Sequence, residues 1–323
     1  MCEQFVYAVA RVRAKELSLL SEADVNRLLA CETYPECLNV LRDKGWGDDI
    51  AETVDYHELI AAEEAKLWRF IFELVPDKSA FNVVLLPVDF HNLKAAVKGY
   101  ITNSLSDDLF MAVGTLDKDF LTKCVEKNNF SDLPTIMAEA AKTAFGKLLH
   151  TGDGQLCDNI IDKALLEAIN LEGKTSKNSL IRAYSELMVA SSNIKVAIRC
   201  QNLNKNFDFL KSVLVECQTL DIEKLAEAAI AGKEALCDYL VFTPYEDAVP
   251  FVRESLQQFE FWRDNKIMEL ICAEKYDSFS IAPIIAYILA RQNEFKVVRV
   301  ILSGKLNRIE NDLIKERLRK MYA

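Results

Sequence analysis

Apolar residues return every three or four positions along most of the chain, which is the stripe of an amphipathic helix. In residues 89–101, "DFHNLKAAVKGYI", Leu93, Ala96, Val97, Tyr100 and Ile101 follow i, i+3, i+4, i+7, i+8. Leu187, Ala190, Ile194, Ala197 and Ile198 hold a similar stripe, and Ile288, Phe295, Val298 and Leu302 keep one face of a third helix. The letters repeat along with the period: "HNLKAAVK" at 91–98, "SNIKVAIR" at 192–199 and "NEFKVVRV" at 293–300. Asn92, Asn193 and Glu294 stand 101 residues apart, and so do Lys94, Lys195 and Lys296. Pro87 marks a break ahead of the first copy.

Other landmarks recur between these marker helices. "LLSEADVNRLL" begins at Leu19, "TLDKDFLTKCV" at Thr115 and "TLDIEKLAEAA" at Thr219. In each, a polar residue (Ser21, Asp117 or Asp221) precedes an apolar-periodic run, the composition of a helix N-cap. A second short helix is expected next, in "PECLNVLRDKG", "LPTIMAEAAKTAFGKLL" and "KEALCDYLVF". A longer one follows, in "DYHELIAAEEAKLWRFIFEL", "LCDNIIDKALLEAINL" and "QFEFWRDNKIMELICAE", and the marker helix closes the unit. Turn chemistry falls in "KGWGDD", "HTGDGQ", "TNSLSDD" and "NLNKNFD". The reading is an all-α chain of three homologous helical units, 1–105, 106–208 and 209–323. Such units can stack as an open solenoid, or close around an axis so that the third meets the first.

Composition supports the helical reading. Among 323 residues only ten are Gly and seven Pro, against 50% hydrophobic and 27% charged. A net charge of −10 argues against a nucleic-acid partner and against adsorption on anionic lipid. The closing stretch "KLNRIENDLIKERLRKMYA" is locally basic all the same. The nine cysteines include no C-x-x-C and lie mostly in apolar helical patterns, as reduced thiols of a cytosolic protein do. The longest uncharged apolar run, "IAPIIAYILA" at 281–290, is half the roughly 20 residues a membrane span needs.

Candidate chemistry is sparse. No G-x-x-x-x-G-K-[ST] cradle and no G-x-S-x-G elbow occurs. "HELIAAEE" starts like a zinc helix at His57, but Ala61 stands where the second histidine belongs. His91 abuts the marker helix and reads as a local hydrogen-bonder. No catalytic, cofactor-binding or metal-binding residue is expected. Trp46, Trp68 and Trp262 read as core anchors. Asn92 and Asn193 flank the buried stripe and suit bonds to backbone or to a neighbouring unit. More informative are three two-cation edges: Lys94 with Lys98, Lys195 with Arg199, and Lys296 with Arg299, the last spaced i, i+3 where the others are i, i+4. They either pair with the chain's own carboxylates or face a common partner.

The segments "YAVARVRAKELSLLSEADVNRLL" and "LRDKGWGDD" resemble the start of the C-subunit family of V-type (A-type) ATP synthases, which is related to the d subunits of V-ATPases. "DFHNLKAAVKGYI", "SSNIKVAIRCQNL" and "PIIAYILARQNEFKVVRVILSGKLN" are similar to that family's three internal markers, in order over nearly the whole chain. The resemblance implies a funnel of three helical units around a pseudo-threefold axis. It implies a non-catalytic central-stalk subunit, present in single copy, that binds no nucleotide directly. One end would dock on the cytoplasmic face of the membrane proteolipid ring and the other would receive the central-stalk axle. Two other readings of the residues stay open, a soluble helical-repeat scaffold and a helical enzyme with an unrecognised site.

Overall fold

The computed structural model describes residues 5–48, 55–203 and 205–323, the side chains of Lys275 and Tyr276 excepted. Cys2, Asp49 and Asn204, counted above among the thiols and the turn residues, lie outside this range. The described residues form helices joined by short turns, with no strand. In chain order the helices are α1 (Val6–Glu16), α2 (Glu22–Ala30), α3 (Tyr34–Asp43), α4 (Tyr56–Leu74), α5 (Asn82–Ile101), α6 (Lys118–Glu126), α7 (Thr135–Thr151) and α8 (Gly154–Thr175). There follow α9 (Ser179–Asn202), α10 (Phe207–Val213), α11 (Ile222–Ala231), α12 (Lys233–Val241), α13 (Val249–Glu254), α14 (Leu256–Cys272), α15 (Ala282–Leu306) and α16 (Asn311–Lys315).

The caps act where the polar landmarks predict. Ser21 accepts from the Asp24 N–H while the Asp24 carboxylate accepts from the Ser21 N–H, a complete capping box at the start of α2. Asp117 caps α6 through the Asp119 and Phe120 N–H groups, and Asp221 caps α11 through that of Lys224. The marker helices are α5, α9 and α15, of 20, 24 and 25 residues. Contrary to the expected break, α5 runs unbroken through Pro87. A proline there lacks the N–H that would bond one turn back. Val83, Val84, Leu85 and Val88 around it are all buried, and their burial offsets that loss.

The chain forms two compact units, one from residues 1–80 with 261–323 and one from 81–260. In the second, Leu93, Ala96 and Val97 of α5 share a core with Leu121 and Val125 of α6, Ala141 and Ala144 of α7, and Cys157 and Ile161 of α8. Helices α8 and α9 approach so closely at Gly173 that a Cβ there would lie 2.6 Å from Ser185 Cβ. In the first unit α15 packs against α1, α3, α4 and α16. Every residue of the run 281–290 is buried, so this stretch is an interior helix, apolar all round. No described helix is long and apolar enough to cross a membrane. Trp46, Trp68 and Trp262 are buried, as expected of core anchors.

Ile285 sits at 0% exposure within α15, and Leu17 at 89%. Ile285→Ala is expected to lose about 2–5 kcal/mol and Leu17→Ala less than about 0.5 kcal/mol, read from urea unfolding midpoints.

Candidate functional site

Each marker helix carries buried polar side chains on its apolar face, and buried polar groups must be hydrogen-bonded to be tolerated. The asparagines bind main chain. Asn92 Nδ2 donates to the Met111 carbonyl at 3.0 Å, and its Oδ1 accepts from the Met111 N–H at 2.8 Å. Asn193 does the same with Val215, at 2.7 and 3.0 Å. On α15 the role falls to Asn293, one residue before the Glu294 that letter spacing aligns with Asn92 and Asn193. Asn293 Nδ2 donates to the Lys320 carbonyl at 2.9 Å, while the Lys320 N–H goes to Asn265 Oδ1 at 2.9 Å.

A carboxylate on each marker helix then holds one of the landmarks. Asp89 of α5 accepts from the Thr115 hydroxyl at 2.5 Å and the Leu116 N–H at 3.1 Å. Glu186 of α9 accepts from the Gln218 and Thr219 N–H groups at 2.9 and 2.8 Å and from the Thr219 hydroxyl at 2.6 Å. Glu294 of α15 accepts from the Leu20 N–H. Thus α5 fixes the second landmark, α9 the third and α15 the first. The pattern of letters misses Asp89 and Glu186, and it gives Glu294 the asparagine's place. The three carboxylates stand three before, seven before and one after their marker asparagine. Ordered as −7, −3 and +1, the offsets step by four, about one helical turn each, so the groups share a face although their letters do not align.

The α15 anchor is the most charged. Arg291 donates to Glu294 Oε2 at 2.5 Å and to Glu63 Oε2 of α4 at 2.9 Å. Glu63 Oε1 accepts from the Gly47 N–H at 2.9 Å and from Lys66 at 3.1 Å. The Arg291 guanidinium lies 4.9 Å from the ring centroids of both Trp46 and Phe295, which meet edge to face at 5.8 Å. Burial pushes the Glu294 carboxyl up to about 7, against the pull of Arg291 and the Leu20 N–H.

The lysines of the two-cation edges are engaged within the chain. Lys94 meets Asp162 and Lys98 meets Asp158, both at 2.7 Å and both on α8. Lys195 meets Glu260 on α14. Lys296 lies 3.7 Å from the buried Asp264, which also receives Arg263 at 2.8 Å and Arg319 at 3.1 Å. Burial raises the Glu64 carboxyl of α4, and the charge of Arg299 opposes that shift. Arg199 and Arg299 are exposed. His91 Nε2 lies 3.1 Å from the Leu109 carbonyl, a local contact. Among the described residues no group of His, Cys, Asp and Glu could hold a metal ion.

A family model described as ATP synthase (C/AC39) subunit matches residues 8–317. The chain is 23% identical to the C subunit of an A-type ATP synthase of Desulfurococcus sp. (strain SY), over 97% of this chain and 90% of the relative. It is 20% identical to the C subunit of a V-type sodium ATPase of Enterococcus hirae, over 96% and 97%. It is 24% identical to the C subunit of a V-type ATP synthase of Thermus thermophilus, over 94% of each.

Two outcomes follow from the anchors. The folded state holds the Glu294 proton up to about pH 7, whereas an unfolded glutamate releases it near 4.5. Between those values the folded state binds more protons, so this group's contribution to stability is full below pH 4.5 and is lost as pH rises through 7. Glu294→Gln is expected to flatten that part of the melting-temperature profile between about pH 5 and 8. Asn193→Leu strands the Val215 N–H and carbonyl and is expected to cost about 1–3 kcal/mol for each, by chemical denaturation.

Proposed function

The chain belongs to the ATP synthase (C/AC39) subunit family, and from that premise we propose that it is the socket of a central rotor, joining the membrane proteolipid ring to the central-stalk axle. It is a subunit of a rotary ATP synthase or ATPase and not itself an enzyme. In the proposed role it sits in single copy on the cytoplasmic face of the membrane, peripheral to it, and passes torque between ring and axle. Ion movement supplies about 2.3 kcal/mol per charge per 100 mV, and a coupler must carry the sum of several such steps without slack. Helices packed at near-crystalline density suit that task.

The observation that carries the reading is the order of the anchors. Helix α5 holds Thr115 and Leu116, α9 holds Thr219, and α15 holds Leu20. An open solenoid would leave its last marker helix without a landmark to hold. Here the last returns to the first, which favours three units, 1–105, 106–208 and 209–323, closed about a pseudo-threefold axis as a funnel. In this proposal Asn92 with Lys94 and Lys98, Asn193 with Lys195 and Arg199, and Lys296 with Arg299 mark related faces of the three units, Asn293 rather than Glu294 standing in the asparagine's place, and their cationic members orient ring and axle.

The test is rotational. In the purified complex, engineered cysteines that cross-link this chain to a ring subunit should leave ATP turnover intact, and cross-links to a stator subunit should stop it. Turnover that survives the stator link would overturn the rotor assignment. Lys195→Glu with Arg199→Glu is expected to lower recovery of ring and axle in a pull-down. Unchanged recovery and unchanged melting would leave these residues as solvated surface charge.

A further inference from the structure

Helices α2 and α3 meet at two cysteines, both free thiols. Cys31 is the C-cap of α2, Thr33 caps α3 through the Glu36 N–H, and Cys37 follows one turn into α3. The Leu28 carbonyl accepts from the Cys31 N–H at 3.3 Å and from the Cys37 thiol at 3.4 Å, so one oxygen ties both residues to the same turn. The Cys31 thiol donates to the adjacent Arg27 carbonyl at 3.4 Å. The two sulfurs thus sit on neighbouring carbonyls of the last turn of α2, within hydrogen-bonding reach of each other. From the other side Lys305 of α15 donates to the Leu29 carbonyl at 2.7 Å and to the Cys31 carbonyl. Cys31 is half-buried and Cys37 fully buried. All of these groups belong to the unit formed by residues 1–80 and 261–323.

We propose that Cys31 and Cys37 are a thiol–disulfide switch, closed by hydrogen peroxide into a bond that staples α2 to α3. Cys31, the accessible member, attacks first. Its sulfur takes one oxygen of the peroxide as the O–O bond breaks, giving a sulfenic acid and one water. Cys37 then attacks that sulfur: the S–S bond forms, the S–O bond breaks, and the oxygen leaves with the Cys37 proton as a second water. Two thiols are oxidised and one peroxide is reduced to two waters. The surroundings set this order. Burial, with the neighbouring Cys31, pushes the Cys37 thiol up to about 12 and keeps it from attacking first, while the Lys305 charge opposes that rise. The bond closes a ring of seven residues across the turn that Lys305 holds, and so fixes the end of the first landmark helix. The switch needs no partner and stands apart from the rotor assignment.

The test uses the purified full-length chain, treated with hydrogen peroxide, alkylated and digested with trypsin. Both cysteines fall in one tryptic peptide, residues 28–42. After peroxide it should escape alkylation and weigh two hydrogens less than its reduced form, and dithiothreitol should restore it. The oxidised chain should melt about 5 °C higher than the reduced one, because the closed ring restricts the unfolded state. Cys31→Ser should abolish both changes. Cys37→Ala removes the buried thiol without adding a polar group, and should leave Cys31 as a sulfenic acid that dimedone traps. If the wild-type chain accumulates the same dimedone adduct at Cys31 in place of the two-hydrogen loss, Cys37 does not resolve it and the proposal is overturned. A wild-type peptide that remains alkylated at both cysteines, under peroxide that oxidises Cys31 in Cys37→Ala, would overturn it too. So would a two-hydrogen loss with melting unchanged or lowered, since the bond would then be no staple.

Discussion

A polar group taken out of water must find a partner, and in this protein that requirement fixes where the main chain runs. Asp89, Asn92, Asn193, Asn293 and Glu294 are buried on otherwise apolar helix faces. Leaving one unpaired would forfeit about 1–3 kcal/mol, more for a charge, so each selects the backbone that satisfies it. Apolar packing alone tolerates small slips of one helix along another. A carboxylate that must meet the N–H of Leu116 or Leu20 does not. The anchors thus convert approximate helical packing into a defined register.

The α15 anchor differs from the others in kind. Asp89 and Glu186 answer to neutral donors, whereas Glu294 shares Arg291 with Glu63. Lys66 on Glu63 balances the second carboxylate, and the rise of the Glu294 carboxyl to about 7 reflects its burial, which outweighs the pull of Arg291. Trp46 and Phe295 pack over the arginine and limit how far water relieves it. The contact joins α15 to a segment 274 residues earlier in the chain. A long-range contact of this kind cannot rely on local chain connectivity and needs strong, directional partners.

The cationic edges have the opposite character. Lys94, Lys98 and Lys195 pair near the surface with Asp162, Asp158 and Glu260. Such pairs contribute little stability, typically under about 1 kcal/mol, and exchange readily for other partners. Rigid buried anchors and exchangeable surface charge together suit a body that keeps its own register while docking against others. Membership in the ATP synthase (C/AC39) subunit family supplies the setting in which such docking occurs.

Much of the helical plan was legible in the chain itself. The caps at Ser21, Asp117 and Asp221 and the apolar stripe of each marker helix are local signals, set by hydrogen bonds and spacings within a dozen residues. The sequence misled at Pro87, where burial of the neighbouring aliphatic residues outweighs a local preference against helix. It misled again at Glu294, because the third copy runs one residue short of the letter spacing and places Asn293 where Asn92 and Asn193 stand. The carboxylates drift by whole turns, which preserves the helix face while shifting the letters. The pairing of Asp89 with Leu116, Glu186 with Thr219 and Glu294 with Leu20 was decided only in the tertiary structure. The reason is physical: a periodic pattern fixes which face of a helix is buried, but a buried carboxylate finds its donor only when a distant segment has been brought beside it.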